Sequence, residues 1–429
     1  MTASTIHNVH AWEALDSRGK PTVAATIELS DGSRGRAVVP SGASTGGHEA
    51  VERRDGGERY RGQGVLGAVA SANGELRDRI IGLDADDQQA VDTALESADP
   101  RADLGTVGAN AVLALSLATL LAAADSHSRP LWQQLDAAEQ PLIPMPMVNI
   151  VSGGAHARGL LDIQDVLVVP EGANSFAEAM EWVDRVRYAT AELLDERGGS
   201  SALVADEGGL AGSLGSNDAA LALVTDGIHR AGLRPGVDAS LALDLAANQL
   251  YTGERYALRV EGRELSRADW LSVVAEWCER YAIVSIEDAL FEDDWEGWAS
   301  ASSSIGVGRQ LLGDDLFATN DARVERGVAE GIANAVLIKP NQAGSVSRSA
   351  AVVRRAQAAG YGTVVSARSG DTEDTWLADL AIGWRAGQIK VGSTMRSERT
   401  AKWNRVLELE SRAAGRSVFA GRNALAGRK

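Results

Sequence analysis

Three acidic residues close short apolar runs in this 429-residue chain: Asp244 after Leu241-Ala242-Leu243, Glu287 after Ile283-Val284-Ser285-Ile286, and Asp314 after Leu311-Leu312-Gly313. A single carboxylate at a strand end is ordinarily a helix cap or a solvated turn. Three at neighbouring strand ends would repel one another unless a cation sat among them. Oxygen donors of this kind suit Mg²⁺, which keeps positions open for water and substrate, whereas the six histidines show no paired spacing for zinc. Lys339 and Lys390 end similar runs, Ala335-Val336-Leu337-Ile338 and Gly387-Gln388-Ile389. The chain has only five lysines against 37 arginines, and a guanidinium cannot serve as a base near neutral pH. Beside a divalent metal and each other the two ammonium forms would be disfavoured, which is expected to lower one amine toward the range of a general base. Two loops add donors for an anion: Ser41-Gly42-Ala43-Ser44-Thr45-Gly46-Gly47, and Ala367-Arg368-Ser369-Gly370 with its guanidinium and hydroxyl. The expected chemistry is proton abstraction by a lysine beside Mg²⁺, with a phosphate bound nearby.

Glu287, Asp314, Lys339, Ser366 and Lys390 follow one another at spacings of 27, 25, 27 and 24 residues, the size of one strand-plus-helix unit. Helical patterns alternate with these runs over 176–197, 219–231, 268–280, 346–359 and 399–413. Such alternation predicts a parallel sheet, and this many units predict a closed (β/α) barrel, which presents chemistry at the carboxyl ends of its strands. An open doubly wound sheet is the structural alternative, but no glycine fingerprint follows an early strand. The first segment reads differently. Strand-like alternation over 6–12, 22–29 and 34–39 precedes helical patterns over 65–81, 87–97 and 109–124. The predicted organisation is an α+β unit over residues 1–135 and a barrel over 136–429, with the proline-rich stretch Pro141 to Pro146 near the junction.

With 42 basic and 59 acidic side chains the net charge is −17, and no local basic patch offsets it, so nucleic acid and anionic membranes are not expected partners. The apolar stretch 109–124 is interrupted by Asn110, Ser116 and Thr119 and reads as a buried helix. Cys278 is the only cysteine, which rules out an internal disulfide. The residues from Met1 to His7 show neither a basic start nor an apolar core of signal-peptide length, and the expected location is the cytoplasm.

Several stretches resemble the enolases, the phosphopyruvate hydratases of glycolysis. They are Leu15-Asp16-Ser17-Arg18-Gly19-Lys20, Val39-Pro40-Ser41-Gly42-Ala43-Ser44-Thr45-Gly46, Ser285-Ile286-Glu287-Asp288, Gly313-Asp314-Asp315-Leu316, Leu337-Ile338-Lys339-Pro340-Asn341-Gln342 and Arg396-Ser397-Glu398-Arg399. In the same order they extend from about residue 12 to residue 421. The resemblance implies a capping α+β domain on a modified eight-stranded barrel, assembled as a homodimer or a larger even oligomer. It implies removal of the proton α to the carboxylate of 2-phosphoglycerate, with Mg²⁺, two ions per site, stabilising the product of that step. By motif, Asp244, Glu287 and Asp314 would hold the first ion and Ser44 would join the second with the phosphate. Lys339 would be the base, Lys390 would contact the carboxylate, and Arg368 with Ser369 would grip the phosphate. Ala43 and Gln164 would line the substrate, Glu207 would assist the leaving hydroxide, and His156 would close over the site.

Two positions depart from the pattern. Enolases typically read Ser-His-Arg-Ser-Gly where this chain has Ser366-Ala367-Arg368-Ser369-Gly370, and Gln-Glu-Phe where it has Gln164-Asp165-Val166. Both fall on the side of the leaving hydroxide. Loss of one acid-base participant typically costs about 10²- to 10⁴-fold in rate. The resemblance therefore implies either a paralogue of secondary metabolism, similar to those that make carboxyphosphonoenolpyruvate in phosphonate and phosphinate antibiotic pathways, or a hydratase of reduced activity. The third alternative is a non-catalytic binding protein on the same scaffold, against which the retained Lys339 and metal carboxylates argue.

Overall fold

The computed structural model describes residues 4–43, 46–136, 138 and 140–427. Its first part is a three-stranded antiparallel sheet, β1 (Ile6–Leu15), β2 (Pro21–Leu29) and β3 (Arg34–Val38), packed against helices. The helix Ala109–Ser126 buries 15 of its 18 residues, so its apolar length serves a protein core. It lies unusually close to β3: a Cβ added to Gly35 would stand 2.0 Å from the carbonyl oxygen of Ala118. The expected helix over 65–81 is divided into Leu66–Ser71 and Arg77–Ile80. Between them Gly74 leaves helical geometry, and the Asn73 side chain turns to pair with the backbone N–H and C=O of Ala11 in β1, 2.8 Å each.

The second part is a closed eight-stranded barrel with helices around it. Its strands, in spatial and chain order, are β4 (Met145–Ser152), β5 (Asp165–Val169), β6 (Ser240–Asp244), β7 (Ile283–Glu287), β8 (Gln310–Gly313), β9 (Ala335–Ile338), β10 (Gly362–Ser366) and β11 (Gln388–Gly392). The sheet is not wholly parallel as the alternation predicted, because β5 runs antiparallel to both β4 and β6. The link from β4 to β5 holds only one helical turn, Gly154–Ala157, too short for the crossover a parallel pair requires. This reversal places the first residue of β5 beside the last residues of its neighbours: Asp165 stands opposite Ser152 and Asp244.

Side-chain capping explains where the outer helices begin. The hydroxyls of Ser175, Ser216, Ser266 and Ser345 accept backbone N–H groups at four helix starts, which fixes how each helix leaves its loop. The barrel interior is filled by Met145, Met147, Leu167, Val284, Leu312 and Leu337. Leu425 closes the floor, where Gln388 donates to the carbonyl of Ala424 at 3.0 Å.

The capping domain is stitched to the barrel mouth. Ser41 and Gly370 exchange backbone hydrogen bonds of 2.8 and 3.0 Å, and Ala50 donates to the carbonyl of Gln342 at 2.8 Å. Asp92, buried on the capping side, accepts from the backbone N–H of Ser347 at 2.8 Å. Substituting Gly35→Ala forces the helix Ala109–Ser126 off the sheet. A loss of about 1–3 kcal/mol or more is expected in thermal or denaturant unfolding, while Gly212→Ala, where the added Cβ makes only ordinary contacts of 3.6 and 3.8 Å with Leu194, loses less.

Candidate active site

Asp244 and Glu287 are the last residues of β6 and β7, and Asp314 and Lys339 immediately follow β8 and β9. Ser366 ends β10 and is paired in register with Lys390 of β11. All six therefore reach the same end of the barrel. A small cavity of about 20 Å³ there is lined by Ala43, His156, Gln164, Glu207, Asp244, Lys339, Ser366, Ala367, Arg368, Ser369 and Lys390. The structure thus gathers most of the sequence-derived candidates, with Glu287 and Asp314 directly behind the two lysines. Ser44 lies outside the described residues.

The cations and anions are interleaved. Lys390 Nζ lies 2.8 Å from Asp244 Oδ2 and 2.7 Å from Glu287 Oε2, and Lys339 Nζ donates to Asp314 Oδ2. Burial opposes charge on both amines, but the facing carboxylates outweigh it. Asp314 holds the Lys339 ammonium above its usual range, and Asp244 with Glu287 holds Lys390 well above it. This direction is opposite to the expected lowering, because the carboxylates facing the amines outweigh burial. Burial likewise opposes the ionised forms of Asp244 and Asp314, and Lys390 and Lys339 reverse it, so both stay below the usual carboxylate range. Glu287 is pushed well up, first by burial and then by Asp244.

Three observations bear on a divalent cation. Glu287 Oε1 is buried without a hydrogen-bond partner. The side-chain atoms meeting around Lys390 are carboxylate oxygens and the Gln164 amide, which donates to Asp244 Oδ2 at 3.0 Å. Asp288, Asp314 and Asp315 offer oxygens all within 4.8 Å of one another, and burial with Asp314 nearby raises Asp315 to about 8. A hard, oxygen-preferring ion fits such donors. Among the described residues, the expected trio Asp244, Glu287 and Asp314 does not form so compact a group, since Lys390 and Lys339 stand between its members.

On the opposite wall His156 Nδ1 is 3.1 Å from Asp165 Oδ2, and its Nε2 is 3.6 Å from Glu207 Oε1. Asp165 is held further by Asn149 Nδ2 and by Ser152 Oγ at 3.0 Å. Burial opposes the imidazolium, but Asp165 and Glu207 raise His156 to about 9. Burial in turn raises the Asp165 carboxyl, with His156 opposing, whereas at Glu207 the positive ring overcomes burial and lowers it. Ala367 leaves only a methyl group on this wall.

Arg368 is buried and paired with Glu49 of the capping domain, Nη1 to Oε2 at 3.1 Å and Nη2 to Oε1 at 3.3 Å, and it donates to Asn341 Oδ1 at 2.9 Å. Arg18, also from the capping domain, donates to Ser369 Oγ at 3.3 Å. Glu49, Arg18, Asn149 and Asp288 were not singled out by sequence. Arg18 and Asp288 lay within the family-like stretches without a role, Asn149 meets Asp165 across 16 residues, and Glu49 meets Arg368 across 319.

A barrel with charged strand ends roofed by an α+β domain defines an enzyme-type architecture. The family description "Enolase, N-terminal domain" matches residues 6–135, and "Enolase, C-terminal TIM barrel domain" matches residues 140–427. The chain belongs to the enolase family.

The His156 ring should remain protonated through neutral pH. Because its folded value of about 9 lies above the ordinary 6.5, its contribution to stability is complete below about 6.5 and disappears as pH rises through 9. Imidazole NMR of the ligand-free protein should show one ring titrating near pH 9 whose signal is missing in His156→Gln. A ring that titrates near 6.5 would mean that Asp165 and Glu207 do not face it.

Proposed function

We propose that this protein is a magnesium-dependent, enolase-like enzyme of secondary metabolism. It removes the α-proton of a 2-phosphoglycerate-like acid and expels the group on the β-carbon, leaving an enolpyruvyl ester of whatever phosphorus group the α-oxygen already carries; carboxyphosphonoenolpyruvate is the product when that group is carboxyphosphono rather than phosphate. The observation that carries the reading is the convergence of Lys339, Lys390 and Arg368 on one cavity backed by Asp244, Glu287 and Asp314. In this reading it acts in the cytoplasm as an even homo-oligomer.

Asp244, Glu287 and Asp314 would hold one ion and Ser44 would join a second. Bound there, magnesium supplies positive charge against the substrate carboxylate as negative charge develops on it. Lys390 Nζ holds that carboxylate. Arg368 and Ser369 receive the phosphate, which fixes the α-carbon over Lys339. Lys339 Nζ takes the proton once its amine is neutral, and the electron pair left on carbon forms the double bond as the group on the β-carbon departs. Glu207 would assist a departing oxygen by passing on a proton from the facing His156 ring, with Gln164 and Ala43 bounding the pocket. The shortened acid at Asp165 and the methyl at Ala367 mark that wall as the place where the substrate of this chain would differ from 2-phosphoglycerate.

A second reading, the ordinary conversion of 2-phosphoglycerate to phosphoenolpyruvate, is favoured by the intact contact of His156 with Asp165 and Glu207. The two readings separate in one assay series. Protein with Mg²⁺ and 2-phosphoglycerate in heavy water should exchange the α-proton while forming little product absorbing near 240 nm. Turnover near an ordinary enzymatic rate of about 10 per second would instead establish the hydratase. Lys339→Ala should lose exchange by about 10²- to 10⁴-fold. Exchange undiminished in that variant would remove Lys339 as the base, and exchange and product both absent from the native protein would remove both readings and leave a binding protein. Ala367→His combined with Asp165→Glu should raise phosphoenolpyruvate formation at least about 10-fold, within the usual range for restoring an acid-base group.

A further inference from the structure

One buried cation near the site has no part in the chemistry above. Arg399, in the first turn of the helix Ser397–Arg412, is fully shielded from solvent. Its guanidinium is spent mainly on backbone carbonyls: Nη1 donates to Arg368 O at 2.6 Å and to Val391 O at 3.0 Å, and Nη2 donates to Ser369 O at 2.7 Å. Its nearest carboxylate, Glu398, stands 3.5 Å from Nε. The three carbonyls belong to the two residues that would grip the phosphate and to the residue following Lys390. The fit is tight, since a Cβ added to Gly392 would meet Arg399 Cδ at 3.0 Å and the Glu207 carbonyl at 2.8 Å.

Burying a guanidinium costs several kcal/mol unless it is well bonded, and a planar fork can satisfy carbonyls from two separate segments at once. One turn further on, Lys402 carries the same brace outward. Its Nζ is 2.7 Å from Asp371 Oδ1, and Asp371 Oδ2 accepts the backbone N–H of Arg368 at 3.2 Å. Thus the backbone of Arg368 is held at its carbonyl by Arg399 and at its N–H through Asp371 by Lys402.

We propose that Arg399 is a positioning residue that locks the Arg368-Ser369 loop to the end of β11, so that the phosphate grip and Lys390 address opposite ends of one small substrate. The inference rests on the proposed function, because it assumes that Arg368 receives the phosphate. Arg399 acts through Arg368 and touches none of the carboxylates offered to metal.

The experiment is a double-mutant cycle in the full-length protein. Phosphoglycolate binding in the presence of Mg²⁺ is measured for native protein, Arg399→Lys, Arg368→Ala and the double variant, and Mn²⁺ binding without the acid is measured alongside. Arg399→Lys should weaken phosphoglycolate about 10- to 100-fold, as expected when a gripping group is displaced by about 1 Å, while Mn²⁺ affinity stays within about twofold. The Arg399→Lys effect should shrink to less than about threefold in the Arg368→Ala background, because coupled residues are not additive. Additive losses, or parallel loss of Mn²⁺ and phosphoglycolate, would overturn the positioning role. Arg399→Gln provides a second variant for the same cycle if the lysine form is poorly folded. Native protein that binds no phosphoglycolate, or Arg368→Ala that binds it normally, would instead count against the proposed function itself.

Discussion

Charge compensation at the carboxyl end of the barrel governs this site. Asp244, Glu287 and Asp314 are all buried, and in low dielectric such carboxylates are tolerated only when cations or donors face them. Lys390 and Lys339 supply that balance. The same contacts set the electrostatic state: two carboxyls are held down, Glu287 is pushed up, and both amines are kept charged. Any cation entering among the carboxylates competes with the lysines for their oxygens, which links ion binding to the freedom of the amines.

The capping domain completes this arrangement. Glu49 occupies two guanidinium donors of Arg368, Gln342 bridges Glu49 and Asp314 at 3.2 and 2.9 Å, and Arg18 reaches Ser369. These contacts connect the roof to the groups that would meet substrate and metal. The antiparallel β5 is equally consequential, for it alone brings a strand-initial carboxylate, Asp165, into line with strand-final Asp244.

The two walls of the cavity differ in chemistry. One presents ammonium and guanidinium groups, and the other presents a protonated imidazole between two acids, with Ala367 beside it. Asp165, one methylene shorter than the acid of the family pattern, is bonded by Asn149, Ser152 and His156. No side chain of comparable polarity replaces the imidazole at position 367.

The sequence by itself determined the periodic β/α units, the acids at 244, 287 and 314, the scarce lysines at 339 and 390, and the family, because strand length, residue type and motif order are local properties. The helix over 65–81 was misread in part because Asn73 answers to β1, a partner 62 residues away. Tertiary structure alone decided the reversal of β5, the pairing of Arg368 with Glu49 and the brace from Arg399. The first follows from a short connection that forbids a crossover, the second joins groups 319 residues apart, and the third joins a helix to carbonyls 8 to 31 residues before it, and residue order along the chain does not encode such meetings directly.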